Sequence, residues 1–211
     1  MKTDLIFWGA GTARSIRPIW VAEELGLGYQ LNPIGPRTGE TQTPEYTQLN
    51  PKQKIPFCED GDLKLSESIA ICRYLVNKYG NDSTIPPPQT IEEQAKQDEW
   101  LSYVYGEMDE TSLYVMRRHE ALSAIYGGAP AAVEAARQYL AKHLQVADQH
   151  LNGKSFLLKE KFGLPDIFLT TCLNWVEAYG IHMPANLLRY RDQIIQRPAY
   201  LKADAINRQK A

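Results

Sequence analysis

The sequence predicts an α/β domain followed by an all-α domain, and three observations carry that prediction. Strand and helix signals alternate over the first 80 residues. Three consecutive prolines, Pro86-Pro87-Pro88, then interrupt the chain. Beyond them nearly every segment shows helical spacing, with no strand signal of comparable strength. The division falls at residues 1–80 for the α/β domain, 81–90 for a stiff linker and 91–211 for the helical domain.

The stretch TDLIFW (3–8) reads as a buried strand that Gly9-Ala10-Gly11 breaks. Residues 15–26 then carry helical spacing through Ile16, Ile19, Trp20 and Leu25, with Gly26 as the stop. Pro18 fits within the opening turns of that helix. GYQLNPI (28–34) is a second strand, and residues 35–51 are turn-rich with at most a short helix at 45–49. KIPFCED and DLKLS around Asp60-Gly61 have the signature of a hairpin. A helix opens near Ser66 and runs through Ile69, Ala70, Tyr74 and Leu75 to Gly80. After the linker, helices are expected over 91–120, 130–151, 165–179 and 185–196.

Composition narrows the function classes. With 44% hydrophobic and 23% charged residues, the 211-residue chain is of ordinary globular character. Its 23 basic and 25 acidic residues leave a charge of −2 without any Lys/Arg block, which argues against a nucleic-acid partner. No apolar run approaches the roughly 18 residues of a membrane span. The apolar part of MKTDLIFWGAG is too short for a signal peptide, so a cytoplasmic protein is expected. Cys58, Cys72 and Cys172 lie in apolar surroundings without CxxC spacing and read as reduced, buried thiols. Of the histidines only His143 and His150 share helical spacing, too few for a metal site.

The run KIPFCEDGDLKLSESIAICRYL combines an Ile-Pro step, an Asp-Gly hairpin and a Glu-Ser helix opening. Together with FGLPDIFL and RPAY further on, it resembles the soluble glutathione transferase family over essentially the full length. The resemblance implies a thioredoxin-like N-terminal domain (βαβαββα), a helical C-terminal domain and a homodimer. It also implies glutathione as co-substrate, with no other cofactor.

By the same resemblance, Ser68 donates to the γ-glutamyl carboxylate of glutathione while Glu67 takes the ammonium. The start of a helix suits an anion, because its N–H groups are unpaired and its dipole favours negative charge. On spacing alone Ser66 or Ser68 would simply cap the helix. Pro56 stands where the family has a cis proline, which presents the backbone of Ile55 to the cysteinyl unit. Lys54 and Gln42 match positions on the side of the glycine carboxylate.

A free thiol has a pKa near 8.5, so only about 3% is thiolate at pH 7. Lowering it by ~2 units requires roughly 2.7 kcal/mol. A hydroxyl bonded to the anion supplies about 1.5–3 kcal/mol, and a helix N-terminus roughly 0.3–1. Trp8 occupies the place of the family's tyrosine and has no hydroxyl, while Arg14 occupies that of its cysteine. The family's serine falls on Thr12, with Ser15 one turn on as the reserve candidate. Thr12 also reads as a plain helix cap.

The first helix after the linker is crowded with aromatic and sulfur-bearing side chains. The resemblance makes it the wall of a pocket for a small hydrophobic electrophile, and Tyr105, Met108 and Ser112 are the expected lining residues. Gly163 stands where the family carries a Ser/Thr cap, and Asp166 reads as structural. Two rival functions fit the same residues. One is a non-catalytic interaction module of the same fold. The other is a disulfide reductase or peroxidase that uses glutathione's own sulfur.

Overall fold

The computed structural model describes residues 4–80, 83–158 and 161–210. Thr3 of the expected first strand and Asn81-Asp82 of the expected linker lie outside them. The chain forms two compact units, Met1–Pro87 with Ile195–Ala211 and Pro88–Ile194.

In the first unit, β1 (Leu5–Trp8) leads through α1 (Ile16–Glu24) to β2 (Gln30–Asn32), and β2 pairs parallel with β1. A 3₁₀ turn (Glu40–Gln42) and α2 (Pro44–Leu49) follow. Then come β3 (Phe57–Asp60), β4 (Leu63–Ser66) and α3 (Ser68–Tyr79). The sheet order is β2-β1-β3-β4, with β3 antiparallel to both its neighbours. Leu5 and Phe7 of β1 point into the core while Ile6 and Trp8 are half-buried, the period of two expected of a strand. The hairpin turn is Gly61-Asp62, one residue later than the Asp60-Gly61 expected, because Asp60 still pairs with Leu63. Gly61 adopts φ +59°, and a two-residue hairpin turn favours glycine in that left-handed region.

The chain-order division leaves residues 195–211 in the helical domain, yet α9 (Pro198–Asn207) packs against α1 of the first unit. The rings of Trp20 and Tyr200 meet edge to face at 4.8 Å. Arg197 forks onto Glu24 at 2.6 and 2.7 Å. The helical signal for α9 was available in Pro198 at its first turn.

The second unit contains α4 (Ile91–Tyr103), α5 (Ser123–Tyr126), α6 (Pro130–His150), α7 (Leu164–Ala178) and α8 (Ala185–Ile194). Thr90 caps α4 by accepting from the Glu93 N–H at 3.1 Å. Helix α7 is buried along most of its length, and Asp166 reaches back to the Gly163 N–H at 2.9 Å. The other Asp166 oxygen accepts from the Leu157 N–H at 2.9 Å and the Tyr190 hydroxyl at 2.7 Å. Its role is the structural one expected.

The unbroken α-helix expected over 91–120 is not what forms. After α4 the chain widens into π-helical turns over Val104–Tyr114 and again over Arg117–Ala121. The Ser112 hydroxyl donates to the Glu107 carbonyl five residues back, at 2.7 Å. Bonding from i to i+5 adds about one residue to each turn, so faces drawn at 3.6 residues per turn no longer hold.

Candidate active site

The turn between β1 and α1 is held together by two hydroxyls. The Thr12 and Ser15 oxygens lie 2.8 Å apart. Thr12 Oγ1 accepts the backbone N–H of Ser15 at 2.9 Å and of Arg14 at 3.3 Å. Ser15 Oγ in return accepts the Thr12 N–H at 3.1 Å. Thr12 is half-buried, whereas Ser15 is completely buried. Thr12 acts as the cap that the sequence also allowed, its lone pairs stabilising the turn, and this leaves its proton uncommitted to those two N–H groups. Trp8 has a different task, donating its indole N–H to Glu59 at 2.8 Å.

The Ile55–Pro56 peptide bond is cis, the isomer the resemblance implies. The loop before it is fixed through the Lys54 carbonyl, which accepts from the Tyr46 hydroxyl at 2.7 Å and Asn50 Nδ2 at 2.9 Å. Gly9 stands against this loop at φ +109°, and a Cβ there would come within 2.5 Å of Ile55 Cβ. Only glycine permits both that backbone and that approach. Lys54 and Gln42 are exposed, as suits residues that would meet a ligand's carboxylate from solvent.

Glu67 sits at the N-cap of α3 with φ +75°, and its side chain makes no capping hydrogen bond. A non-glycine residue in that region costs of order 1–3 kcal/mol, strain of the kind that collects at functional sites. Its exposed carboxylate takes Lys52 Nζ at 2.8 Å, and the same ammonium reaches Ser66 Oγ at 2.9 Å. Ser68 is buried and accepts from Arg17 Nη1 at 3.3 Å. With an oxygen lone pair engaged by the guanidinium, the Ser68 proton is available to an anion.

Arg17 and Lys52 are the residues that sequence reasoning missed. An arginine two residues into an amphipathic helix reads as a surface charge, yet Arg17 is fully buried. It places a positive charge at the N-terminus of α3, where the helix dipole has the same sign. Gly9 against Ile55 and Arg17 against Ser68 tie together the three segments that carry Thr12, Ile55-Pro56 and Glu67-Ser68.

The expected electrophile trio separates. Met108 and Ser112 are fully buried in the second unit, and the Ser112 proton is spent on the Glu107 carbonyl. Tyr105 is half-buried, its hydroxyl 3.3 Å from Glu110. The widened turns are the physical reason, since they rotate Tyr105 away from the face that Met108 and Ser112 share.

Two of the protein's three thiols, Cys58 and Cys72, are poor nucleophiles. Burial, reinforced by Asp60 and Glu59, pushes the Cys58 thiol up to about 12, and burial raises that of Cys72 as well.

Residues 3–77 match the glutathione S-transferase N-terminal domain and residues 103–198 the C-terminal domain. Glutathione S-transferase 3 of Zea mays is 34% identical over 153 residues, 72% of this chain and 68% of that protein. Theta-1 glutathione S-transferase of Bos taurus is 30% identical over 74% of this chain and 66% of its own length. A theta class glutathione S-transferase from Xanthomonas axonopodis pv. citri, solved with glutathione bound, superposes with a TM-score of 0.77 at 27% identity. That likeness covers 95% of this chain and 97% of the other. The chain belongs to the glutathione S-transferase family and is an enzyme of that kind, with glutathione as co-substrate.

Proposed function

We propose that this enzyme conjugates the thiolate of glutathione to small hydrophobic electrophiles. The observation that carries the reading is the linked set of Thr12, the cis Ile55–Pro56 bond and the Glu67-Ser68 helix start within one compact unit. Thr12 donates to the sulfur. The backbone of Ile55 meets the cysteinyl unit, while Lys54 and Gln42 serve the glycine carboxylate. Ser68, with Arg17 beneath it, binds the γ-glutamyl carboxylate, and Glu67 binds the ammonium. Glu67 exchanges Lys52 for the incoming ammonium, and the exposed Lys52 ammonium passes to solvent and the Ser66 hydroxyl. In the helical unit Tyr105, Met108 and Ser112 serve the electrophile, Tyr105 being the half-buried member of the three. The enzyme acts in the cytoplasm.

The test combines calorimetry with turnover. The parent should bind glutathione and turn over members of an electrophile panel. Glu67→Ala should weaken glutathione binding by at least ~1.5 kcal/mol, the worth of a hydrogen bond to a charged group. Unchanged affinity in a folded variant would remove Glu67 from the site. Binding without turnover on any electrophile, but with turnover on peroxides or mixed disulfides, would move the reaction to the sulfur's redox chemistry.

The protein works as a two-fold dimer, on the resemblance to a family of dimers. Light scattering at micromolar concentration should report twice the chain mass, and a monomer would contradict the assignment.

A further inference from the structure

Asn207, the last residue of α9, is buried against the turn that carries Thr12. Its Oδ1 accepts the Gly11 N–H at 3.1 Å and the Ser15 hydroxyl at 3.0 Å. Its Nδ2 donates to the Thr12 carbonyl at 3.2 Å, and its backbone carbonyl accepts the same Gly11 N–H at 2.9 Å. The amide can have only one orientation. A backbone N–H must meet the oxygen and a carbonyl must meet the nitrogen, so Gly11 and Thr12 together decide which end is which.

That orientation has a consequence for the two hydroxyls. Oδ1 offers only lone pairs, so at the 3.0 Å contact Ser15 is the donor. The other acceptor within reach of the Ser15 hydroxyl, the Thr12 carbonyl at 3.1 Å, already takes Asn207 Nδ2. With its proton so directed, one Ser15 lone pair takes the Thr12 N–H and the other is left. In the 2.8 Å pair Thr12 is left as the donor and Ser15 as the acceptor. The two lone pairs of Thr12 are directed to the N–H groups of Ser15 and Arg14, so its proton is the one group in the turn free to change partner. When a thiolate arrives, that proton turns from Ser15, a neutral acceptor, to the stronger, charged one.

We infer that Asn207 is a positioning residue for the reaction: by taking the Ser15 proton it leaves Thr12 as the hydroxyl that donates to the glutathione sulfur. The inference rests on the reading of Thr12 as the thiolate donor. It assigns the C-terminal helix a part in the chemistry, although Asn207 is separated from Ser15 by 192 positions in the chain.

The test is an ultraviolet titration of the bound thiolate in Asn207→Ala, Thr12→Val and the double variant, with steady-state kinetics on each. Asn207→Ala should raise the bound thiol's pKa by about 0.5–1 unit, so that turnover at pH 7 falls by about 3–10-fold and recovers as the pH rises. KM for glutathione should stay within about twofold, since none of the residues proposed to bind its two ends is altered. In a Thr12→Val background the same substitution should move the titration no further, because both act through one proton. A purely structural Asn207 would lower the melting temperature and leave the titration where it is, which overturns the inference. Thr12→Val that titrates like the parent instead sinks the Thr12 reading, and this inference with it. A shifted Thr12→Val beside a parent-like Asn207→Ala sinks only the role of Asn207. Should Asn207→Ala not fold, Asn207→Leu keeps the bulk of the side chain and removes the Oδ1 acceptor, so its bound thiol's pKa should rise in the same way, and a parent-like titration would overturn the inference.

Discussion

Thr12→Val should lower turnover near neutral pH by roughly 10–100-fold, the effect of losing a hydrogen bond worth about 1.5–3 kcal/mol to the anion. The bound thiol's pKa should rise by about 1–2 units, because the donor stabilises only the charged form. The sign follows directly. Below the new pKa less thiolate is present and the rate is depressed, while above it hydroxide does the ionising and much of the loss returns. Glutathione affinity should change less than turnover, since the tripeptide's ends are bound elsewhere. The substitution also removes the acceptor for the Ser15 and Arg14 N–H groups, so a stability loss of about 1 kcal/mol should accompany it. Thr12→Ser separates the two effects, because it keeps both the acceptor and the donor and should retain parent-like titration and melting. Ser15→Ala should destabilise the turn, since Ser15 is fully buried and its hydroxyl is engaged by Asn207, the Thr12 carbonyl and the Thr12 N–H. If Ser15→Ala shifts the titration while Thr12→Val does not, the donor is Ser15.

The parts of this site legible in the sequence are those encoded locally. The Ile-Pro step, the hairpin and the Glu-Ser helix opening lie within one run of 22 residues, KIPFCEDGDLKLSESIAICRYL, so their spacing alone sets their geometry. The strands of the first unit announce themselves by period-two burial and the helices by capping residues and apolar spacing. What could not be read depends on distant packing. Arg17 is chemically a surface residue whose burial is decided by the approach of α3, a contact 51 positions away. Asn207 carries no motif, and its partners become visible only once α9 is folded back on α1. The faces of the helix after the linker were hard to read for another reason. A helical wheel presumes one pitch, and the π-helical turns from Val104 onward change it.

Glu24→Gln should lower the melting temperature by roughly 4–12 °C, corresponding to about 2–3 kcal/mol at ~2–4 °C per kcal/mol for a chain of this size. Glu24 closes α1, and a carboxylate at a helix C-terminus faces the wrong end of the dipole. It is tolerated because every oxygen is engaged. Arg197 forks onto both, Trp20 Nε1 adds 3.0 Å to one and Thr84 Oγ1 adds 2.8 Å to the other. The carboxylate is 3% exposed and the guanidinium 25%, so water still screens the cation and the loss belongs at or just below the lower end for a broken buried pair. Burial raises the Glu24 carboxyl, but the hydrogen bonds from Arg197, Thr84 and Trp20 and the Arg197 charge outweigh it, leaving its pKa below the ordinary 4.5. A depressed folded pKa contributes stability that is complete above the unfolded value and lost as the pH falls through the folded one. The gap in melting temperature between the parent and Glu24→Gln should therefore be constant above about pH 5 and narrow below the ordinary carboxylate range. Because Arg197 opens the helix that ends at Asn207, the variant should also loosen the Thr12 turn and raise the bound thiol's pKa by a fraction of a unit. A melting temperature within about 1 °C of the parent at every pH would show that the fork contributes nothing to holding α9 on α1.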